Sequence, residues 1–462
     1  MQKVFRLLKE ALSSEGKDFT GMRLNRAILL LAIPMVLEMV MEALFAIVDI
    51  YFVSKVSVEA VDAVGLTEGV ITIVYSAAMG LAMAATAMIA RRIGEKQPDE
   101  AARAAAQGIW IAVVVGLVMG VLGFVFAPDI LRLMGASVAV QKEGAMFARI
   151  MFGSNAVIIF LFLFNGIFRG AGDAVIAMRT LWLANGINIL LDPVLIFGWG
   201  PIPAMGVTGA AVATVIGRGA GVAYQIYHLF YSKSGSIHIQ PRHFRGDWDI
   251  IRRLGGIAAS GAGQYVIPSL SWIFLMRIIA LSGADALAGY IIAIRVIVFT
   301  ILPSWGLANA AATLVGQNLG AGLPDRAEQS AWRAGFINML FLLLVSIVFF
   351  IFSRQVIGVF QNETAVIEAG VLSLRIICVG YIFFAYGMVL SQAFNGAGDT
   401  RTPTLVNILC FWLLEIPLGY FLGVVQAFGL AGVCWAVAIS ETVLAVVLMV
   451  LFKKGKWKAT IV

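Results

Sequence analysis

Three carboxylates interrupt one apolar run of this sequence: Glu38, Glu42 and Asp49, between Ala27 and Val53. A carboxylate taken out of water is tolerated only where something compensates its charge. At 100° per residue the three fall at about 0°, 40° and 20° around a helix, a single stripe. A second run places Asn185, Asn188 and Asp192 at about 0°, 300° and 340°, again one stripe. Pro193 follows; it has no N–H, so the carbonyl of Ile189 loses its helical donor and can ligate a cation. A third run carries Thr214, at the end of Gly209-Ala210-Ala211-Val212-Ala213-Thr214. Asp49, Asn188, Asp192 and Thr214 together offer two carboxylates, an amide oxygen and a hydroxyl. Hard oxygens of this kind suit Na⁺, and a carboxylate pair can equally share a proton.

The elements that position these residues must be helices crossing a membrane. Of 462 residues, 61% are hydrophobic and 13% charged, against about 45–50% and about 25% in soluble domains. That balance excludes soluble multidomain, disordered and disulfide-scaffold classes. Twelve runs reach the length of about 20 residues that a span needs: 27–53, 63–90, 104–127, 143–166, 174–198, 206–231, 254–280, 287–316, 334–353, 366–392, 402–425 and 429–452. The short alternating segments of a membrane barrel do not occur. The first 26 residues are charged and amphipathic, and the run after them is too long for a cleavable signal. Cys378, Cys410 and Cys434 stand far apart in apolar stretches, as small core residues do.

Charge gives the orientation. With the N-terminus inside, 24 Lys and Arg residues fall on inward segments and four (Lys55, Arg132, Lys142 and Arg354) on outward ones. The positive-inside rule then places both termini in the cytoplasm, and the net charge of +7 belongs to the membrane surface rather than to nucleic acid. The expected organisation is a cytoplasmic segment 1–26, an N-lobe 27–231 (spans 1–6), a basic linker 232–253, a C-lobe 254–452 (spans 7–12) and a basic tail 453–462.

The two halves repeat. Gly80-Leu81-Ala82, Gly94 and Pro98-Asp99 reappear as Gly306-Leu307-Ala308, Gly320 and Pro324-Asp325, and Gly170-Ala171-Gly172-Asp173 as Gly396-Ala397-Gly398-Asp399. The numbering of every pair differs by a constant offset of 226. Six spans separate equivalent points, so the halves share one orientation and should be related by a pseudo-twofold axis along the membrane normal. Parallel six-helix repeats are a transporter architecture, with the substrate site between them.

These features, with Asp49-Ile50-Tyr51-Phe52-Val53, Asn188-Ile189-Leu190-Leu191-Asp192-Pro193 and Val315-Gly316-Gln317-Asn318-Leu319-Gly320-Ala321-Gly322, closely resemble the multidrug and toxic compound extrusion (MATE) family. The resemblance covers nearly the whole chain. It implies an all-α membrane protein of twelve helices that expels organic, often cationic, compounds in exchange for a cation. Asp49, Asn188, Asp192 and Thr214 match the N-lobe cation site of the family's archaeal-type members. Some members carry instead a C-lobe site, with a Glu in span 7 and an Asp in span 10. Here span 7 offers Gln264 and span 10 has no Asp before Asp399, so the N-lobe is the expected site. Glu38, Glu42, Asn185 and Gln264 are candidates for the substrate path, and Glu415 and Glu441 for a second-lobe site. Glu68 has Arg218 or Arg295 as a candidate partner.

The sequence holds no Gly-x-x-x-x-Gly-Lys-Ser/Thr loop for a nucleotide, no His-x-Glu-x-x-His or Cys-x-x-Cys metal spacing, and no strand–turn–helix setting for a dinucleotide. The reading is therefore a secondary antiporter rather than an enzyme: a monomeric, multi-pass protein of the inner cell membrane with small organic substrates, H⁺ or Na⁺ as coupling ion, and no cofactor or nucleotide. The alternative is a flippase for a lipid-linked saccharide or another large amphiphile, which the span 1 carboxylates disfavour. A cysteine introduced at Ser234 should be shielded from an impermeant maleimide in intact cells and react once they are opened. Labelling of intact cells would overturn the orientation.

Overall fold

The computed structural model describes residues 2–13, 17–232 and 235–461; Ser234, expected in the linker, lies outside them. After α1 (Gln2–Ala11), the N-terminal half comprises α2 (Leu24–Val53), α3 (Val58–Gly94), α4 (Pro98–Leu133), α5 (Val138–Gly153), α6 (Asn155–Ala171), α7 (Ala174–Phe197) and α8 (Val207–Phe230). The C-terminal half comprises α9 (Trp248–Ala280), α10 (Ala284–Gly320), α11 (Pro324–Gly358), α12 (Thr364–Val379), α13 (Tyr381–Gly396), a span beginning with α14 (Arg401–Asn407) and including α15 (Ile416–Tyr420), and α16 (Gly429–Lys453). Among the described residues nine helical spans are long and apolar enough to cross a bilayer, and two more are bent helix pairs. The twelfth is α8, 24 residues long, whose hydropathy Arg218, Gln225 and His228 reduce.

Besides α11, which has a local kink at Phe352, three spans depart from simple helices. Runs 143–166 and 366–392 read as continuous, yet the chain bends by 43° between α5 and α6 and by 59° between α12 and α13. The bends centre on Ser154 and Gly380, which are repeat equivalents, so the repeat extends to its kinks. Hydropathy passes over them because the apolar composition continues through each. Run 402–425 contains two π-helical stretches, Ile408–Glu415 and Phe421–Val425; such stretches accommodate an extra residue in a helix.

The halves join through a symmetric seam in which α3 packs on α9 and α10 on α2. A methyl group at Gly80 would strike the backbone of Ala258 and Ala262, and one at Gly306 the backbone of Met35 and Val36. Gly94 faces Gln317 in the same way, and Gly320 faces Arg91. Gly80 and Gly306 are repeat equivalents, as are Gly94 and Gly320, and a pseudo-twofold axis requires such reciprocal contacts. Hydrogen bonds reinforce the seam: Thr313 Oγ1 donates to the Arg169 carbonyl (3.0 Å) and Gln317 Nε2 to the Gly170 carbonyl (3.0 Å). These contacts lie toward the end of the bundle that carries both termini and the linker, called below the linker face; the opposite end is the far face.

The linker is tied to the N-terminal half. Ile237 and Ile239 are buried in its core, and Asp173 accepts from Ser236 N (2.8 Å) and Oγ (3.1 Å). Burial pushes the Asp173 carboxyl up to about 6 despite these donors. Gly172 just before it has φ 87°, and its repeat partner Gly398 has φ 88°, a left-handed turn that glycine alone enters without strain.

Because the Gly80 seam has no room for a Cβ, Gly80→Ala should cost about 1–3 kcal/mol through overpacking and lower the thermal unfolding midpoint of the purified protein. Gly65, where an added methyl group would meet nothing within 4 Å, is the control, and Gly65→Ala should leave the midpoint unchanged or higher. Equal midpoints for the two variants would contradict the close-packed seam.

Candidate functional site

The site forms where α2, α7 and α8 meet. Trp182 Nε1 donates to the Leu37 carbonyl (3.1 Å), pinning α7 against α2. Gly217 lets α8 approach closely, since a Cβ there would meet the Ala184 carbonyl and the Asn188 backbone. With these spacings the two polar stripes face each other. Glu42 Oε2 accepts from Asn185 Nδ2 (3.1 Å). One turn farther along α7, Asn188 Nδ2 donates to both Asp192 Oδ1 (3.3 Å) and Thr214 Oγ1 (3.1 Å). Asn188, Asp192 and Thr214 are buried. Asp49 stands close enough to Asp192 for their charges to repel.

The donors run out before the acceptors do. Asp49 Oδ1, Asn188 Oδ1 and Asp192 Oδ2 are buried and accept no hydrogen bond among the described residues, although buried polar atoms are nearly always paired. Pro193 lies within α7 and leaves the Ile189 carbonyl without its helical donor as well. Three unpaired oxygens, two of them carboxylate, fit a small hard cation or a proton bridging the acids. They fit poorly with a transition metal, and among the described residues no group of three or more His, Cys, Asp or Glu could hold one.

Beside this set stands a cation of the protein's own. Arg218 of α8 is buried; its Nη2 donates to the Tyr75 hydroxyl (2.7 Å) and its guanidinium lies 5.8 Å from the Phe45 ring centre and 5.6 Å from that of Tyr75. Its field reaches Asp49, Glu42 and Glu68. Among the described residues it forms no ion pair within 4 Å, and Nη1 has no partner. The sequence marked Arg218 only as a possible counter-charge for Glu68. Its place among all three acids depends on helix packing that spacing within one span does not reveal.

The remaining candidates separate. Glu38 is fully buried nearer the seam, where it accepts from Asn165 Nδ2 (3.3 Å) and pairs with Arg169 (3.5 Å); Gln225 completes the cluster by donating to Asn165 (2.7 Å). Gln264, the repeat equivalent of Glu38, exchanges two hydrogen bonds with Asn395 (2.8 and 3.1 Å). Asn395 in turn is the repeat equivalent of Arg169, so an ion pair in one half is replaced by an amide pair in the other. Arg169, Tyr265, Trp305 and Asn395 line a small cavity of about 70 Å³ between the halves. Glu415 and Glu441 lie elsewhere, in a cavity within the C-terminal half.

Comparison with known proteins bears on both halves. The sequence profile of the MatE family matches residues 34–194 and again 260–421, one match per repeat and together most of the chain. The chain belongs to the MatE family. It is 26% identical over 94% of its length to a protein of Thermotoga maritima named probable multidrug resistance protein NorM, covering 93% of that protein. It is 23% identical over 92% of its length to the multidrug export protein MepA of Staphylococcus aureus, covering 93% of that protein. Its structure superposes on that of a multidrug resistance MATE family transporter of the MOP superfamily in an outward-facing conformation, with TM-score 0.90, 25% identity, and coverage of 97% of this chain and 100% of that one. This MatE protein is thus a multi-pass membrane protein of twelve helices in two repeats.

Proposed function

We propose that this MatE protein is a secondary antiporter exporting organic, cationic or amphipathic compounds in exchange for H⁺ or Na⁺. It would lie in the inner cell membrane as a monomer, with both termini and the linker in the cytoplasm. The observation that carries the reading is the set of unpaired buried oxygens on Asp49, Asn188 and Asp192. The multidrug names of its relatives support the substrate class.

A coupling ion entering the site supplies the charge that the oxygens lack. Without it, the Asp49 and Asp192 carboxylates repel each other, and only Arg218 and the Asn188 amide offset them. With it, the cluster of Asp49, Asp192 and Arg218 is neutral overall and α2 can draw toward α7. The seam closes the linker face, so the ion enters from the far face. Exchange follows if the neutralised and charged forms favour different arrangements of α2, because a ligand shifts an equilibrium only by its unequal affinity for the two states. A cationic substrate, attracted to the charged form, is released when the ion arrives.

In vesicles containing the purified protein, an imposed Na⁺ or H⁺ gradient should drive export of a fluorescent organic cation. Asp192→Asn should abolish the gradient-driven part, a fall of at least about tenfold, as expected when a buried charged partner is lost, while the variant still inserts and unfolds cooperatively. Full gradient-driven export by well-folded Asp192→Asn would remove this site from the mechanism.

A further inference from the structure

The C-terminal half contains a cavity of about 300 Å³ among α9, α10, α13, α16 and the π-helical span. Its walls include Trp272, Tyr290, Phe384 and Phe411, and two carboxylates, Glu415 and Glu441, project into it. Glu415 is buried and accepts one hydrogen bond, from Ser271 Oγ (3.3 Å). No ion pair within 4 Å and no hydrogen bond is formed by Glu441 among the described residues. The Tyr381 hydroxyl, in the same wall and 2% exposed, is also unpaired: Thr300 and Cys378 are near it, but neither completes a hydrogen bond.

The repeat explains why this space exists. Helices α8 and α16 both start at a glycine of positive φ, Gly206 (56°) and Gly429 (55°). The twelfth residue after the first is Arg218 and the twelfth after the second is Glu441. Gly209 packs on Leu195 and Ile196 as Gly432 packs on Leu422 and Gly423. Asn188 precedes Leu195 by the same spacing, two helical turns, as Glu415 precedes Leu422. Two other lining residues, Ile294 and Ile301, are the repeat equivalents of Glu68 and Tyr75. The cavity is therefore the counterpart of the Arg218 cluster. The N-terminal half fills that place with its own guanidinium held against Tyr75 and Phe45. The C-terminal half presents acids and aromatic rings there, and no cation among the described residues that line it.

We propose that this cavity is a binding site for an amphipathic organic cation, whose charge rests between Glu415 and Glu441 and whose apolar body lies against Trp272, Tyr290, Phe384 and Phe411. Aromatic faces attract a cation most strongly when it is desolvated, and a buried carboxylate without a donor gains most from an opposite charge. The volume of about 300 Å³ suits a molecule with several rings, far larger than a bare metal ion, whose oxygen ligands must close to about 2–2.6 Å. Glu441 and Phe384 also line a neighbouring cavity of about 280 Å³ that reaches Gln264, Trp305 and Met83. Met83 belongs to the other half, so the site connects to the space between the halves. The site is distinct from Asp49 and Asp192, and binding to it can be read without transport.

The test is equilibrium binding of tetraphenylphosphonium to the detergent-purified full chain, with tetraphenylborate, of the same shape and opposite charge, as comparison. The phosphonium should bind at least about tenfold more tightly than the borate, the worth of a charged contact. That preference should vanish in Glu415→Gln/Glu441→Gln and persist in Asp285→Asn, an exposed carboxylate outside both sites. Ile301→Trp, which fills the cavity and leaves both acids, should abolish binding and keeps the proposal testable if the double variant does not fold. Equal binding of both probes, phosphonium binding unchanged by Ile301→Trp, or its equal loss in Asp285→Asn, would overturn the proposal.

Discussion

A charge buried among apolar helices must be compensated, and most of the polar architecture of this protein follows from that constraint. The N-terminal half meets it in three ways at three depths. Near the seam Glu38 is compensated internally, by its ion pair with Arg169. Farther along α2, Glu42 is satisfied by an amide, Asn185. Beyond that, Asp49 and Asp192 keep oxygens that no described protein donor reaches. Glu38 Oε2 also lacks a hydrogen bond among the described residues, so what changes along this helix face is the counter-charge: Glu38 has one within 4 Å, and among the described residues Asp49 has none.

The repeat turns this into a comparison within one molecule. Where the N-terminal half sets opposite charges near one another, the C-terminal half has amides (Gln264 with Asn395) or an acid in place of the cation (Glu441 for Arg218). The two halves keep the same helices, the same kinks at Ser154 and Gly380 and the same glycine seam, because these positions hold the lobes together. Their polar interiors have diverged, because polar contacts inside a lobe can be exchanged without disturbing the seam. The two halves thus share a scaffold and differ in their polar interiors.

Much of this was legible in the sequence. Twelve spans, the repeat and the facing stripes on α2 and α7 follow from hydropathy and helical period, since a stripe of carboxylates on one face restricts which way a membrane helix can turn. Thr214 could be placed by depth along its span. The bends escaped because apolar composition does not change across them. Glu38 is a carboxylate on the same stripe as Glu42 and Asp49; what sets it apart is Arg169, whose approach is tertiary. The equivalence of Arg218 and Glu441 was hidden by a shift in register. The stretch from Asp399 to Leu422 is longer by one residue than its counterpart from Asp173 to Leu195, the extra residue falling in the span with π-helical turns, and the connection from Leu422 to Gly429 is then shorter by four than that from Leu195 to Gly206. An ungapped offset therefore misaligns the last two spans.

The central claim is that the coupling ion and the proton use the same oxygens of Asp49 and Asp192. Na⁺ binding to the purified protein, measured across a pH series, tests it most directly. Competition for one carboxylate pair predicts that Na⁺ affinity rises as pH rises and that Asp49→Asn removes it. Na⁺ affinity that does not change with pH, or that survives Asp49→Asn intact, would contradict the account.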